Sequence, residues 1–125
     1  MPRSAGAATG RRAEDLAAAR LESGGLRIVA RNWRRPEAEI DIVADDAGTC
    51  VFVEVRSRTG LDRGHPLEAI TPSKQARVIR AARFYLDAEV PAAKAYRFDV
   101  VAVTFWDDGR SPDVVHVADA FRVGG

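Results

Sequence analysis

A chain of 125 residues with a net charge of +1 and 46% apolar residues has the size and composition of one ordinary globular domain. No apolar run approaches the ~20 residues that span a bilayer, and no segment has the form of a secretory signal, so a cytoplasmic address is expected. Cys50 is the sole cysteine, which rules out an internal disulfide and a zinc–cysteine cluster, and His65 and His116 are too few for a histidine-rich metal site.

Charge is unevenly placed. Residues 1–35 hold eight arginines (Arg3, Arg11, Arg12, Arg20, Arg27, Arg31, Arg34, Arg35) against three acids, Glu14, Asp15 and Glu22; the remainder carries 11 basic and 15 acidic residues. A basic first third is compatible with a phosphate-facing surface, and equally with a solvated helix face and strand edge.

In chain order, residues 1–9 are small and aperiodic and read as a flexible tail. "RRAEDLAAARLESGG" reads as a helix of about three turns that stops at Gly24-Gly25, with Leu21, Ala17 and Ala18 on its apolar stripe. Glu14 falls on that same stripe. "LRIVARNW" (26–33) reads as a strand. "AEIDIVAD" (38–45) and "CVFVEVRS" (50–57) read as a hairpin around "DAGT". A two-residue turn at Ala47-Gly48 places Asp41 opposite Glu54 and Glu39 opposite Arg56, and pairs Ile40, Ile42 and Ala44 with Val55, Val53 and Val51 on an apolar face. "RTGLDRGHPLEA" has loop composition and includes His65. The longest helix follows, with Thr71 as N-cap, Pro72 at the first position, and Val78, Ile79, Ala82, Tyr85 and Leu86 toward the core. Lys74, Arg77, Arg80 and Arg83 form a basic ridge on another side. "YRFDVVAVTFW" (96–106) and "DVVHVADAF" (113–121) read as strands around a "DDGR" turn. The order α-β-β-β-α-β-β is that of a mixed α/β sandwich, with one domain over 10–119 and a frayed end at 120–125.

The hairpin carries the chemistry. Carboxylates facing each other across strands repel, and shared protonation, arginines or a divalent cation would relieve them. Mg²⁺ prefers carboxylate oxygens and keeps several waters, so two or three acidic groups suffice to hold it, and it can activate water against a phosphodiester. The alternative is a solvent-facing strand on which Arg56 bridges Glu39 and Glu54. Trp33 reads as core or rim packing, or as a base-stacking platform beside Arg34 and Arg35. Lys74, Gln75 and Arg77 lie near a helix N-terminus, a place for phosphate or a solvated face. Arg97 and Asp99 read as a structural ion pair, and Cys50 as a small core residue.

"AEDLAAARLE", "RIVARNWR", "AEIDIVA", "VFVEVRSR", "HPLEAITPSKQARVIRAA" and "YRFDVV" occur in this order. Together they resemble the bacterial YraN-type uncharacterised protein family over roughly residues 10–104. That family is similar to archaeal Holliday-junction resolvases and has the restriction-endonuclease-like fold with a PD-(D/E)xK motif. The resemblance implies a mixed sheet flanked by helices and assigns Glu14, Asp41 and Glu54 to Mg²⁺ or Mn²⁺. It places Asp41, Glu54 and Arg56 in the catalytic motif. The sequence departs from the family at Ala13 and Ala38, where glycine is usual, and at Arg56, which replaces the motif lysine. Arginine keeps the charge and can clamp a phosphate but cannot readily surrender a proton, so weakened activity is expected. The expectation is therefore a DNA endonuclease, acting on branched or damaged DNA, with Arg11, Arg12, Arg34, Arg35, Lys74 and Arg77 as nucleic-acid contacts. The alternatives are a non-catalytic nucleic-acid-binding module on the same fold and a protein-interaction domain whose hairpin carboxylates pair only with arginines. A homodimer is expected by analogy with resolvases, whose two-fold symmetry matches a junction.

Overall fold

Alternating Val, Ile and Phe in four segments make strands whose two faces both need covering, and two amphipathic helices cover them. The computed structural model describes residues 2–60 and 70–124, the first eight of these (2–9) by backbone alone. The expected loop residues 61–69, His65 among them, lie outside the described residues. The elements are α1 (Pro2–Ser23), β1 (Arg27–Arg35), β2 (Ala38–Asp46), β3 (Thr49–Thr59), α2 (Pro72–Glu89), β4 (Ala95–Phe105) and β5 (Asp113–Phe121), in the expected order. They build one five-stranded sheet in sequential order, β1-β2-β3-β4-β5. All neighbours are antiparallel except β3 and β4, which are parallel. A parallel pair needs a long crossover, and α2 supplies it.

Helix α1 runs back to Pro2, well ahead of Arg11 where the composition suggested it would begin. Ala5, Ala7 and Ala8 are strong helix formers, and proline is tolerated in a first turn because its missing N–H has no partner there anyway. The helix stops where expected: Gly25 takes φ +93°, and the Leu26 N–H reaches back to the Leu21 carbonyl at 3.1 Å. Helix α2 begins as expected, the Thr71 hydroxyl accepting from the Lys74 N–H with Pro72 at the first position. At the other end β5 continues through Phe121, two residues past the expected domain boundary, because that ring is buried and stacks on Phe98 at 5.2 Å.

The sheet separates two cores. On the α2 side Phe52 and Phe98 pack beneath Val78, Ala82 and Tyr85; on the α1 side Val51, Val53, Val101 and Val103 meet Ala17 and Leu21. Cys50 belongs to the first core, as expected, and burial pushes its thiol up to about 11. Ala13 is buried in α1 and Ala38 lies in β2, neither with positive φ, so the backbone at both positions accepts alanine without strain.

The hairpin turn is the expected Ala47-Gly48 pair, with φ of 50° and 97°, values that match the twist of the flanking strands. The register is also as expected from Asp46↔Thr49 to Ile42↔Val53. Beyond that point the expectation fails. The β2–β3 ladder ends at Ile42↔Val53, while the start of β2 stays paired with β1 down to Arg35↔Ala38. Ile42 lies in the α1-side core and Ile40 in the α2-side core, although residues two apart in a regular strand share a face. The strand therefore changes face at Asp41. Glu39 consequently faces Arg34 (3.7 Å) in β1 rather than Arg56 in β3.

Candidate functional site

The point where β2 leaves β3 is where the charged residues of the hairpin gather. Asp41 sits at this split, and its Oδ2 accepts the backbone N–H of Val55 at 2.8 Å, doing for β3 what the missing ladder partner would have done. Residues of β3 past the split alternate sides. Val55 joins the α1-side core, whereas Glu54 reaches the α2 side and accepts from Arg77 Nη2 of α2 at 3.0 Å and from Arg56 Nη1 at 3.4 Å. Glu54 is only 7% exposed.

Burial and the like charge of Glu54 push the Asp41 carboxyl up to about 7, against the opposing hydrogen bond from Val55. Asp41 thus stands beside Glu54, near enough to feel its charge. Arg56 Nε is buried and has no hydrogen-bond partner among the described residues.

On the α1 side, a cleft of about 590 Å³ opens beside Asp41, lined by Glu14, Asn32, Arg11, Arg34 and Ser57. Glu14 is buried, and its Oε1 accepts from Asn32 Nδ2 at 2.7 Å and Arg31 Nε at 3.0 Å. Adjacent strand residues normally point to opposite faces. Arg31 and Asn32 both reach α1 because Asn32 takes φ 53°, a left-handed conformation that asparagine accepts more readily than most residues. The face change in β2 at Asp41 thus has a counterpart in β1 at Asn32, between the pairs Arg31↔Ile42 and Trp33↔Ile40.

The expected residues are accordingly divided. Asp41 and Glu54 come together as expected. Glu14 is at the same split but is held by its own donors, and among the described residues no group of three His, Cys, Asp or Glu side chains is gathered closely enough to hold a metal ion. Arg11 and Arg34 line the cleft, and Arg77 and Arg56 meet at Glu54. Arg12 lies over the Phe105 ring at 5.0 Å, and Arg35 over Trp33 at 4.5 Å with Glu89 at 3.3 Å; neither lines the cleft. Lys74 occupies the first turn of α2. Trp33 is a core residue, its ring edge-on to Tyr85 and its N–H donated to Glu89 at 3.2 Å. Asn32 was missed by the sequence reading; no periodic signal marks it, since its role follows from a backbone reversal.

Arg97 and Asp99 form the expected structural pair, with Arg97 Nε and Nη2 on the two carboxylate oxygens at 2.8 and 3.0 Å. Asp99 also meets His116 Nε2 at 2.7 Å and accepts the Asp119 N–H at 2.9 Å, which anchors an irregularity in β5.

A mixed five-stranded sheet between two helices, with buried carboxylates and arginines meeting at the split of its second and third strands, defines the class of this molecule. A family model described as "Uncharacterised protein family UPF0102" matches residues 13–103. A UPF0102 protein of Prosthecochloris aestuarii is 48% identical over 116 residues, covering 90% of this chain and 91% of that one. Another from Desulforapulum autotrophicum is 52% identical over 113 residues, covering 90% and 92%. The chain belongs to the UPF0102 family, the YraN-type family that its motifs resemble. No helix among the described residues is long and apolar enough to cross a membrane.

Proposed function

We propose that the protein binds nucleic acid across the split between β2 and β3 and hydrolyses a phosphodiester there, with Mg²⁺ or Mn²⁺ as cofactor. The observation that supports this best is the meeting of the paired carboxyls of Asp41 and Glu54 with guanidinium groups on both sides of the sheet, Arg56 and Arg77 on one and Arg11 and Arg34 on the other. The resemblance to Holliday-junction resolvases points the same way and favours DNA, branched DNA included.

The donor set fits a hard cation. Burial first and the Glu54 charge second raise the Asp41 carboxyl, a cost that a bound cation would relieve, and two carboxylates with retained waters suffice for Mg²⁺. Asp41 and Glu54 would hold the ion, with Glu14 contributing charge from beside Asp41. When bound, it would supply Lewis-acid activation of the attacking water and the phosphoryl oxygens. The remaining work belongs to the chain. Arg56 and Arg77 fix Glu54 from two directions, and Arg56 presents a permanent positive charge to the phosphate without acting as a base. Arg11 and Arg34 draw the polyanion to the cleft, which makes binding salt-sensitive.

One observation favours a second reading, nucleic-acid binding without turnover. Both arginines on Glu54 converge on the same oxygen, Oε2, and so already neutralise a carboxylate that the cation would need. Calorimetric titration with Mn²⁺ separates the two. A metal-dependent site binds the ion in the wild type and loses it in Asp41→Asn and in Glu54→Gln. A binding module shows salt-dependent affinity for DNA and no Mn²⁺ heat that these variants remove.

A further inference from the structure

A second cleft, of about 690 Å³, opens between α2 and the ends of β3, β4 and β5 and shares no lining residue with the cleft at Asp41. Its volume is that of a small-molecule site. Phe52, Phe98 and Phe121 lie beneath it in a buried row, with ring centroids 5.7 and 5.2 Å apart, and back its apolar walls rather than open into it. Ile79 and Leu86 of α2 form one wall, and Tyr96, which also lines the cleft, is 54% exposed. An apolar concavity of this kind gains by exchanging water for a hydrocarbon or aromatic surface.

Three arginines line the same cleft, and they differ in what they hold. Arg97 is fully engaged by Asp99 and Asp46, and Arg122 by Asp119 at 2.6 Å. Arg83 lines the cleft with no hydrogen-bond or ion-pair partner among the described residues. A guanidinium at the edge of a low-dielectric wall, with no carboxylate to satisfy it, selects an anion and grips it in bidentate fashion.

We propose that this cleft binds a small aromatic anion, its ring system against Ile79, Leu86 and Tyr96 and its carboxylate or sulfonate on Arg83. The site stands apart from the strand split and does not depend on what that split does.

Anilinonaphthalene sulfonate and its uncharged analogue phenylnaphthylamine are suitable probes, titrated by fluorescence against the full chain. The expected result is saturable binding at one site, with the sulfonate bound about tenfold or more tighter than the neutral probe, as one charge-assisted pair implies. Arg83→Ala, at an exposed position, erases that preference while leaving the neutral probe bound as before, and Arg83→Lys keeps part of it. Equal affinity for the two probes, or a sulfonate affinity unchanged in Arg83→Ala, overturns the proposal. So does a dimer in sedimentation that Arg83→Ala dissociates, which assigns the cleft to a second copy of the chain.

Discussion

Asp41 accepts the Val55 backbone N–H at 2.8 Å where the β2–β3 ladder ends, so one carboxylate both closes the strand split and stands beside Glu54. The two roles oppose each other in energy. The hydrogen bond favours the charged form, whereas burial and the Glu54 charge disfavour it more, and the carboxyl titrates at about 7 instead of 3.8.

The sign of the resulting pH dependence follows. Between about 4 and 7 the folded protein holds a proton that the unfolded chain has released, so in metal-free buffer stability falls as pH rises across that window. Asp41→Asn keeps an acceptor for Val55 and removes the charge. It should be more stable than the wild type at pH 8 by roughly 2 kcal/mol, with the advantage gone near pH 4. Urea denaturation with chelator at the two pH values measures this; a constant difference between them would contradict it.

Asp99 behaves in the opposite sense. Burial alone would raise its carboxyl, but hydrogen bonds from His116, Arg97 and the Asp119 N–H outweigh burial and hold it below 3.8. Its contribution is complete above about pH 4 and is lost as pH falls through the depressed value. Asp99→Asn leaves Arg97 short of a charge partner and should cost about 3 kcal/mol at pH 7, with part of the wild-type acid transition abolished. Acid titration of the far-ultraviolet circular dichroism of both proteins checks the slope.

Asn32 tests the backbone account of the Glu14 site. Asn32→Ala must keep φ 53° against its Cβ, at a cost of roughly 1–2 kcal/mol, and also loses the bond to Glu14. Asn32→Gly loses the bond alone. The glycine variant should therefore melt several degrees above the alanine variant and below the wild type. Identical melting of the two variants would mean that the left-handed conformation costs nothing.

The arginines separate by position. Arg11→Ala and Arg34→Ala should each weaken binding to duplex DNA and reduce the slope of log affinity against log salt by about one. Arg12→Ala and Arg35→Ala, held against Phe105 and Trp33, should leave the slope within error. Fluorescence anisotropy across a salt series gives all four values.

Much of this was legible in the sequence because it depends on local pattern. Period-two alternation marks β2 to β5, the Thr71-Pro72 cap and the Gly24-Gly25 stop mark helix ends, and Ala47-Gly48 sets a turn that fixes the register as far as Val53. The carboxylates Asp41 and Glu54 stood out because they interrupt apolar runs. What was not legible is where the pattern breaks. The face change at Asp41 and Asn32 depends on which neighbour each half of β2 pairs with, and a left-handed asparagine leaves no periodic trace. That break turns Glu39 toward Arg34 and brings Asn32 to Glu14. Arg12 and Arg35 belong to the same lesson, since Phe105 and Glu89, which hold them, lie far away in the chain.

The most direct test of the central claim follows cleavage of labelled duplex and four-way-junction DNA with Mn²⁺ by the wild type, Glu54→Ala and Arg56→Lys. The account predicts slow cleavage by the wild type, none by Glu54→Ala, and faster cleavage by Arg56→Lys, whose ammonium is the group that the motif usually carries at this position. Cleavage that persists undiminished in Glu54→Ala, or no cleavage by either the wild type or Arg56→Lys, would contradict it.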